Sequence, residues 1–194
     1  MIIDISQNNG TIDWSKVKEI ANLEAVVVKV SEGVQCPDRS AKIDAAGVKS
    51  IGKPLHYYHF ATLNNTDVFS DAKAEATELV GLLKSLPSPD GYVWLDMEEE
   101  KIPLSPVQVQ LWANSFFDTM KAAGYTKLGL YGGTPFLNKV LPPDHNLGVY
   151  PLWSPDYEQV DHIPRGWTKA FWHQYTDQGS VPGITGHVDL STIV

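Results

Sequence analysis

A chain of 194 residues, 43% of them hydrophobic, is long enough for one domain with a sizeable core and too apolar to stay disordered. Its formal net charge of -8 and pI of 5.1 argue against nucleic acid as a partner and give no general attraction to anionic membranes or wall polymers. No stretch approaches the ~20 apolar residues of a membrane span, and a single cysteine, Cys36, excludes an internal disulfide and a thiolate metal cluster.

The opening MIIDISQNNG lacks the basic and apolar regions of a secretory signal. From there, short apolar runs alternate with helix-like segments. Strands are predicted over residues 1–6, 25–31, 54–61, 92–98, 128–132, 149–153, 170–175 and 187–190, with a helix after each of the first five. Two helices carry clear signatures. Residues 67–86 place Val68, Ala72, Ala76, Leu79, Leu83 and Leu86 at helical spacing. Ser105-Pro106-Val107-Gln108 reads as an N-cap, a first-turn proline and a capping-box glutamine, opening a helix that stops near Gly124. A shorter helix over 134–141 is ended by Pro142-Pro143, and beyond it helical periodicity fades. No linker or internal repeat divides residues 1–194, which read as a single catalytic domain. Five βα units followed by three strands predict an α/β fold: an irregular TIM-like barrel, (β/α)5(β)3. An open doubly wound sheet is the alternative. Missing phosphate-binding glycine loops and the helix-poor last quarter weigh against it.

In a barrel of this kind reactive groups gather where strands end, and the predicted strand ends are polar. The fourth strand closes with Trp94-Leu95-Asp96-Met97-Glu98. Alternation puts Asp96 and Glu98 on one face and Val93, Leu95 and Met97 on the other. Asp4 on the first strand and Asp189 on the eighth complete a set of four acids able to converge on one mouth. Crowded carboxylates raise each other's proton affinity, which a general acid needs. Two chemistries suit them: glycoside hydrolysis, or magnesium-assisted phosphoryl chemistry. Aromatic residues at or near strand ends, Tyr58, Tyr131, Trp153, Trp172 and Tyr175, favour a sugar, because flat rings stack on pyranose faces. Lys29 alternates with Val28 and Val30 and is expected to project into the barrel toward an acid. His56 and His59 fall on opposite faces of their strand, a poor arrangement for shared metal ligation. Ser31-Glu32-Gly33 shows no triad logic, and no G-x-S-x-G elbow is present.

Five blocks, in order, resemble the family 25 glycoside hydrolases, the Chalaropsis-type lysozymes. They are Asp4–Gly10 with Ile12-Asp13-Trp14, VKVSEG at 28–33, YYHFA at 57–61, LDME at 95–98, and the tail WHQYTDQGSVPGITGHVDLS at 172–191. The resemblance implies the same barrel and a muramidase, phage endolysin-like, that cleaves the β-1,4 bond between N-acetylmuramic acid and N-acetylglucosamine in bacterial cell-wall peptidoglycan. By position it implies Glu98 as general acid/base, Asp96 as its partner, Asp4 and Asp189 as supporting acids and Tyr58 as a pocket tyrosine. Lys29, Glu32, Tyr131, Trp153, Gln174 and Tyr175 are the further substrate-binding candidates. No cofactor, no metal, no nucleic acid and no membrane insertion are expected, and the working unit is taken as a monomer. Asp96 is either a nucleophile or the group that orients the substrate's own N-acetyl arm. The rival functions are a catalytically silent peptidoglycan-binding module and a metal-dependent phosphoesterase. With no signal visible, release through a host membrane or secretion with the signal removed are the two routes to the wall.

Overall fold

Alternation along the strands builds two apolar layers, and a computed structural model, which describes residues 1–158 and 162–194, shows both. The strands are β1 (Ile2–Ile5), β2 (Ala25–Glu32), β3 (Leu55–Phe60), β4 (Val93–Asp96), β5 (Leu128–Tyr131), β6 (Leu152–Pro155), β7 (Trp172–Gly179) and β8 (Val188–Ile193). They close into a barrel in chain order. Pairing is parallel from β1 through β7, whereas β8 runs antiparallel to both β7 and β1. The (β/α)5(β)3 expectation therefore holds, with α1 (Trp14–Lys18), α2 (Ala41–Ser50), α3 (Val68–Leu83), α4 (Pro106–Ala122) and α5 (Thr134–Val140) following the first five strands.

Outward-facing Ile3, Val26, Val28, Leu55, Leu95 and Leu130 pack under the helices in the main core. Inside the barrel Ile2, Ala25, Val27, Trp94, Tyr131, Trp153 and Trp172 form a second cluster. Large rings fill this interior, and Gly129 on β5 makes room for them: a Cβ there would lie 2.3 Å from the Trp94 ring. Side-chain caps set the helix starts. Asp67 accepts from the Ser70 N–H at α3, and Ser105 with Gln108 forms the full capping box ahead of Pro106 at α4.

Several boundaries differ from expectation, among them the end of β8, which runs on to Ile193. β4 ends at Asp96, so Glu98 leaves the sheet; the last paired residues are Asp96 and Tyr131. The sixth strand begins at Leu152, because pairing with Leu130 and Tyr131 sets its register. Val149 instead sits exposed in a 3-10 turn. β7 runs on to Gly179 because its hairpin with β8 extends the ladder.

His59 faces the helices, as strand parity requires, and is fully buried. Its Nε2 lies 2.8 Å from Glu75 Oε2 on α3, and its Nδ1 lies 2.9 Å from Ser31 Oγ. The Thr62 hydroxyl donates to Glu75 Oε1. The Ser–His–Glu series ties β2, β3 and α3 together, and with 0% exposure of His59 and Glu75 no substrate reaches it. Truncating one member of such a buried pair strands the other. Glu75→Ala is therefore expected to lower unfolding stability by about 3–5 kcal/mol, read as a reduced midpoint in urea.

Candidate active site

The inner faces of the strands end in a cavity of about 180 Å3 lined by Asp4, Lys29, Tyr58, Phe60, Asp96, Glu98, Tyr131, Trp153, Gln174 and Asp189. All four acids singled out from the sequence meet there. Asp4 and Asp189 are direct cross-strand partners at the β1–β8 seam. Asp96 closes β4 and is buried, while Glu98 stands in the following loop with its side chain open to solvent. Fully buried Met97, between them, anchors that loop to the main core.

A hydrogen-bonded frame holds the wall opposite β4. Gln174 Oε1 accepts from the Tyr131 hydroxyl (2.8 Å) and from the Tyr157 hydroxyl (2.9 Å). Two phenol donors on the amide oxygen turn its nitrogen toward Asp4, and Nε2 donates to Asp4 Oδ2 at 3.1 Å. Trp153 Nε1 donates to Ser191 Oγ at 3.0 Å, fixing the indole on the inner wall. Lys29 projects inward as expected and pairs with Glu32 at 2.9 Å. Its Nζ lies 5.0 Å from the centre of the Phe60 ring. The bulge between Lys29 and Ser31 makes that pairing possible. It leaves Val30 and Ser31 facing outward together and returns Glu32 to the side of Lys29. Glu32 thus stands beside the cavity rather than lining it.

Tyr175 is not brought to the cavity and packs against the outer core. Gln174 already occupies the inner face, so its neighbour in the strand points away. Phe60 and Tyr157 are site residues that the sequence reading did not single out. The alternation from Tyr58 could have found Phe60. Tyr157 lies in a loop after β6 and carried no periodic signal. The acidic run beyond Glu98 disperses into surface pairs, Glu99 with Lys101 and Glu100 with Lys139 (2.9 Å).

Burial raises the proton affinity of every acid in the cluster, and repulsion from neighbouring carboxylates adds to it for Asp4, Asp96 and Glu98. Asp4 is held well above the usual carboxyl range by burial first and the Asp189 charge second, with the Gln174 amide opposing. Asp96 is likewise well raised by burial, then by Glu98, against the pull of the Lys29 ammonium. For Glu98 desolvation raises the value most and the Tyr131 hydroxyl works against it. Asp189 is raised by burial. The four acids titrate as a group, and the group keeps protons that isolated carboxyls would have lost. One oxygen has a further property: Asp96 Oδ1 is buried without a hydrogen-bond partner among the described residues. A buried acceptor without a donor on a residue that lines the cavity suits a donor brought by a ligand.

The sign of the linkage gives a stability test. An acid whose folded pKa is raised favours folding fully below its unfolded pKa, and that contribution is lost as pH rises through the folded value. Asp4→Asn removes the charge and keeps an acceptor for Gln174. It is expected to raise Tm by roughly 2–4 °C at pH 8, the shift given by about 1 kcal/mol in a domain of this size, and by less at pH 4. Differential scanning calorimetry at the two pH values reads it.

Comparison with known proteins places this geometry in context. The family described as Glycosyl hydrolases family 25 matches residues 3–184. An autolytic lysozyme of Clostridium acetobutylicum is 29% identical over 192 residues, covering 97% of this chain and 54% of its own length. Lysozyme M1 of Streptomyces globisporus is 27% identical, with 96% and 65% covered. The modular autolysin LytC of Streptococcus pneumoniae, solved in complex with a synthetic peptidoglycan ligand, superposes with a TM-score of 0.85. It shares 25% identity over 98% of this chain and 45% of its own. The chain thus spans between about half and two thirds of the length of the curated relatives named here.

Proposed function

The chain belongs to the glycosyl hydrolases of family 25, and from that premise we propose that it is a peptidoglycan hydrolase of the muramidase type. It cleaves the β-1,4 bond between N-acetylmuramic acid and N-acetylglucosamine in the bacterial cell wall and works as a monomer. The observation that carries this reading is the convergence of Asp4, Asp96, Glu98 and Asp189 on one cavity walled by Tyr58, Tyr131 and Trp153. Glu98 is the general acid/base. It is the most exposed residue of the acid set, its proton affinity is raised, and it can therefore give a proton to the leaving glycosidic oxygen and later take one from water.

Asp96 serves the other half of the reaction by substrate assistance, one of the exceptions to the two-carboxylate rule. Its unpartnered Oδ1 accepts the N–H of the substrate acetamido group. That contact turns the amide oxygen toward the anomeric carbon, where it displaces the leaving group and forms a cyclic intermediate that water opens. Asp4, bonded to Gln174, and its cross-strand partner Asp189 hold the wall beside the sugar. Trp153 and the tyrosines offer flat faces to it.

Digestion of purified peptidoglycan with mass analysis of the fragments tests the reading. Muramic acid at the new reducing ends supports it, and glucosamine there overturns it. Wall binding without any release of reducing sugar would favour the silent module instead. The phosphoesterase alternative asks for a magnesium ion held by these acids. Undiminished wall lysis in a chelator would remove it.

A further inference from the structure

A second concavity, about 590 Å3 in volume, lies on the same rim of the barrel between the loop after β1 and the start of α2. Ile12, Trp14 and Ile43 give it an apolar surface, and Ile43 is left 72% exposed on α2. Two polar side chains in it are incompletely paired, although Ser40 stands beside the Asp44 carboxyl. Arg39, one of two arginines in an acidic chain, is exposed and forms no ion pair among the described residues. Asp44, only 2% exposed, lines the groove with an Oδ2 that has no hydrogen-bond partner among the described residues. Between them stands the N-terminus of α2, where Ser40 makes no capping bond to the helix and its hydroxyl donates to Asp38 Oδ1 instead.

The groove and the catalytic cavity are lined by neighbouring stretches of the chain. Gln7 at its inner end follows Asp4 by three residues, so at most about 11 Å of chain separates them. The Gln7 N–H donates to Asp38 Oδ2 at 2.9 Å, and the Asp38 charge is felt in turn at the Tyr58 hydroxyl. A polymer lying in the cavity therefore carries its side branches within reach of this groove.

We propose that the groove between α1 and α2 binds the peptide branch of peptidoglycan, with Arg39 gripping a peptide carboxylate and Asp44 accepting a peptide N–H. A guanidinium fork matches a carboxylate in two-point geometry. A buried carboxylate oxygen without a donor is costly, and a ligand N–H relieves that cost. A bare sugar chain offers hydroxyls but few anions. A peptide brings a carboxylate, an N–H and apolar side chains together, which is the set that Arg39, Asp44 and the Trp14–Ile43 surface complement. The proposal rests on the peptidoglycan reading of the cavity and adds a specificity determinant outside it.

The test compares two substrates: intact peptidoglycan, and the same glycan strands after an amidase has removed their peptides. Arg39→Ala is expected to raise KM about fivefold on the peptide-bearing wall, the scale of one exposed charge-assisted contact. The kcat on that wall and both constants on the stripped strands should stay at the wild-type level. Ile43→Ser should move the same KM in the same direction. The peptides released by the stripping step, titrated calorimetrically into the wild-type protein, should bind saturably and lose that binding in Arg39→Ala. Equal effects on both substrates, no effect on either, or absence of peptide binding would each overturn the groove assignment. Cleavage of neither substrate by the wild-type protein, with peptide binding intact, would sink the muramidase reading and leave the groove standing.

Discussion

Glu98→Gln is expected to lower the turnover of purified peptidoglycan by about 10²–10⁴-fold, the usual contribution of a positioned general acid, with the thermal midpoint nearly unchanged. The two side chains share shape, so the loop beyond β4 keeps its place through fully buried Met97. The amide has no proton to give to the leaving oxygen. The substitution also removes one charge from a crowded acid set, so no loss of stability accompanies the loss of rate. The pH profile supplies a second reading. The acid step needs Glu98 protonated, and desolvation raises its proton affinity above that of an ordinary glutamate. Wild-type activity should therefore survive to a higher pH than an unperturbed glutamate would allow, then fall as pH climbs past the raised value. The residual activity of the variant should lack that limb. Lysis by Glu98→Gln at the wild-type rate would overturn the assignment.

Asp96→Asn is expected to cost about 10²–10³ in kcat, in line with removing one preorganised electrostatic contact from a reacting centre. Asparagine retains one acceptor but loses the negative charge that stabilises the developing positive charge on the sugar and its acetamido group. It also places an NH2 where the carboxyl shares a proton with Glu98. As a neutral group on a buried strand end, it should leave the fold as stable as the wild type or more so. The same position separates the two mechanisms. Under substrate assistance, mass spectrometry of Glu98→Gln given a glycosyl fluoride substrate, whose leaving group departs without a proton, finds no sugar bonded to Asp96. A covalent adduct at Asp96 would make it the nucleophile and end the assisted scheme.

Much of this architecture is written in contiguous residues. Period-two alternation located β2, β3 and β4 and separated Trp94 and Asp96 from Val93, Leu95 and Met97. Capping chemistry gave the start of α4 to the residue, since Ser105, Pro106 and Gln108 act only on their own turn. Alternation also held the warning about Tyr175: with Gln174 facing inward, its neighbour had to face out. The misplaced sixth strand shows the limit of local signals. Val149 and Tyr150 are good strand formers, yet pairing to β5 decides the register and begins at Leu152.

By itself the chain determined the order of strands and helices, the polar character of the strand ends and the family, because periodicity, caps and short motifs belong to neighbouring residues. Tertiary structure alone decided the rest. It paired Asp4 with Asp189 across the closing seam, put a bulge after Lys29 that hands its charge to Glu32, and released Glu98 from the sheet while keeping Asp96 in it. It also raised the proton affinity of all four acids. Burial and charge–charge repulsion act through space, and their strength depends on how closely remote segments approach when the barrel closes.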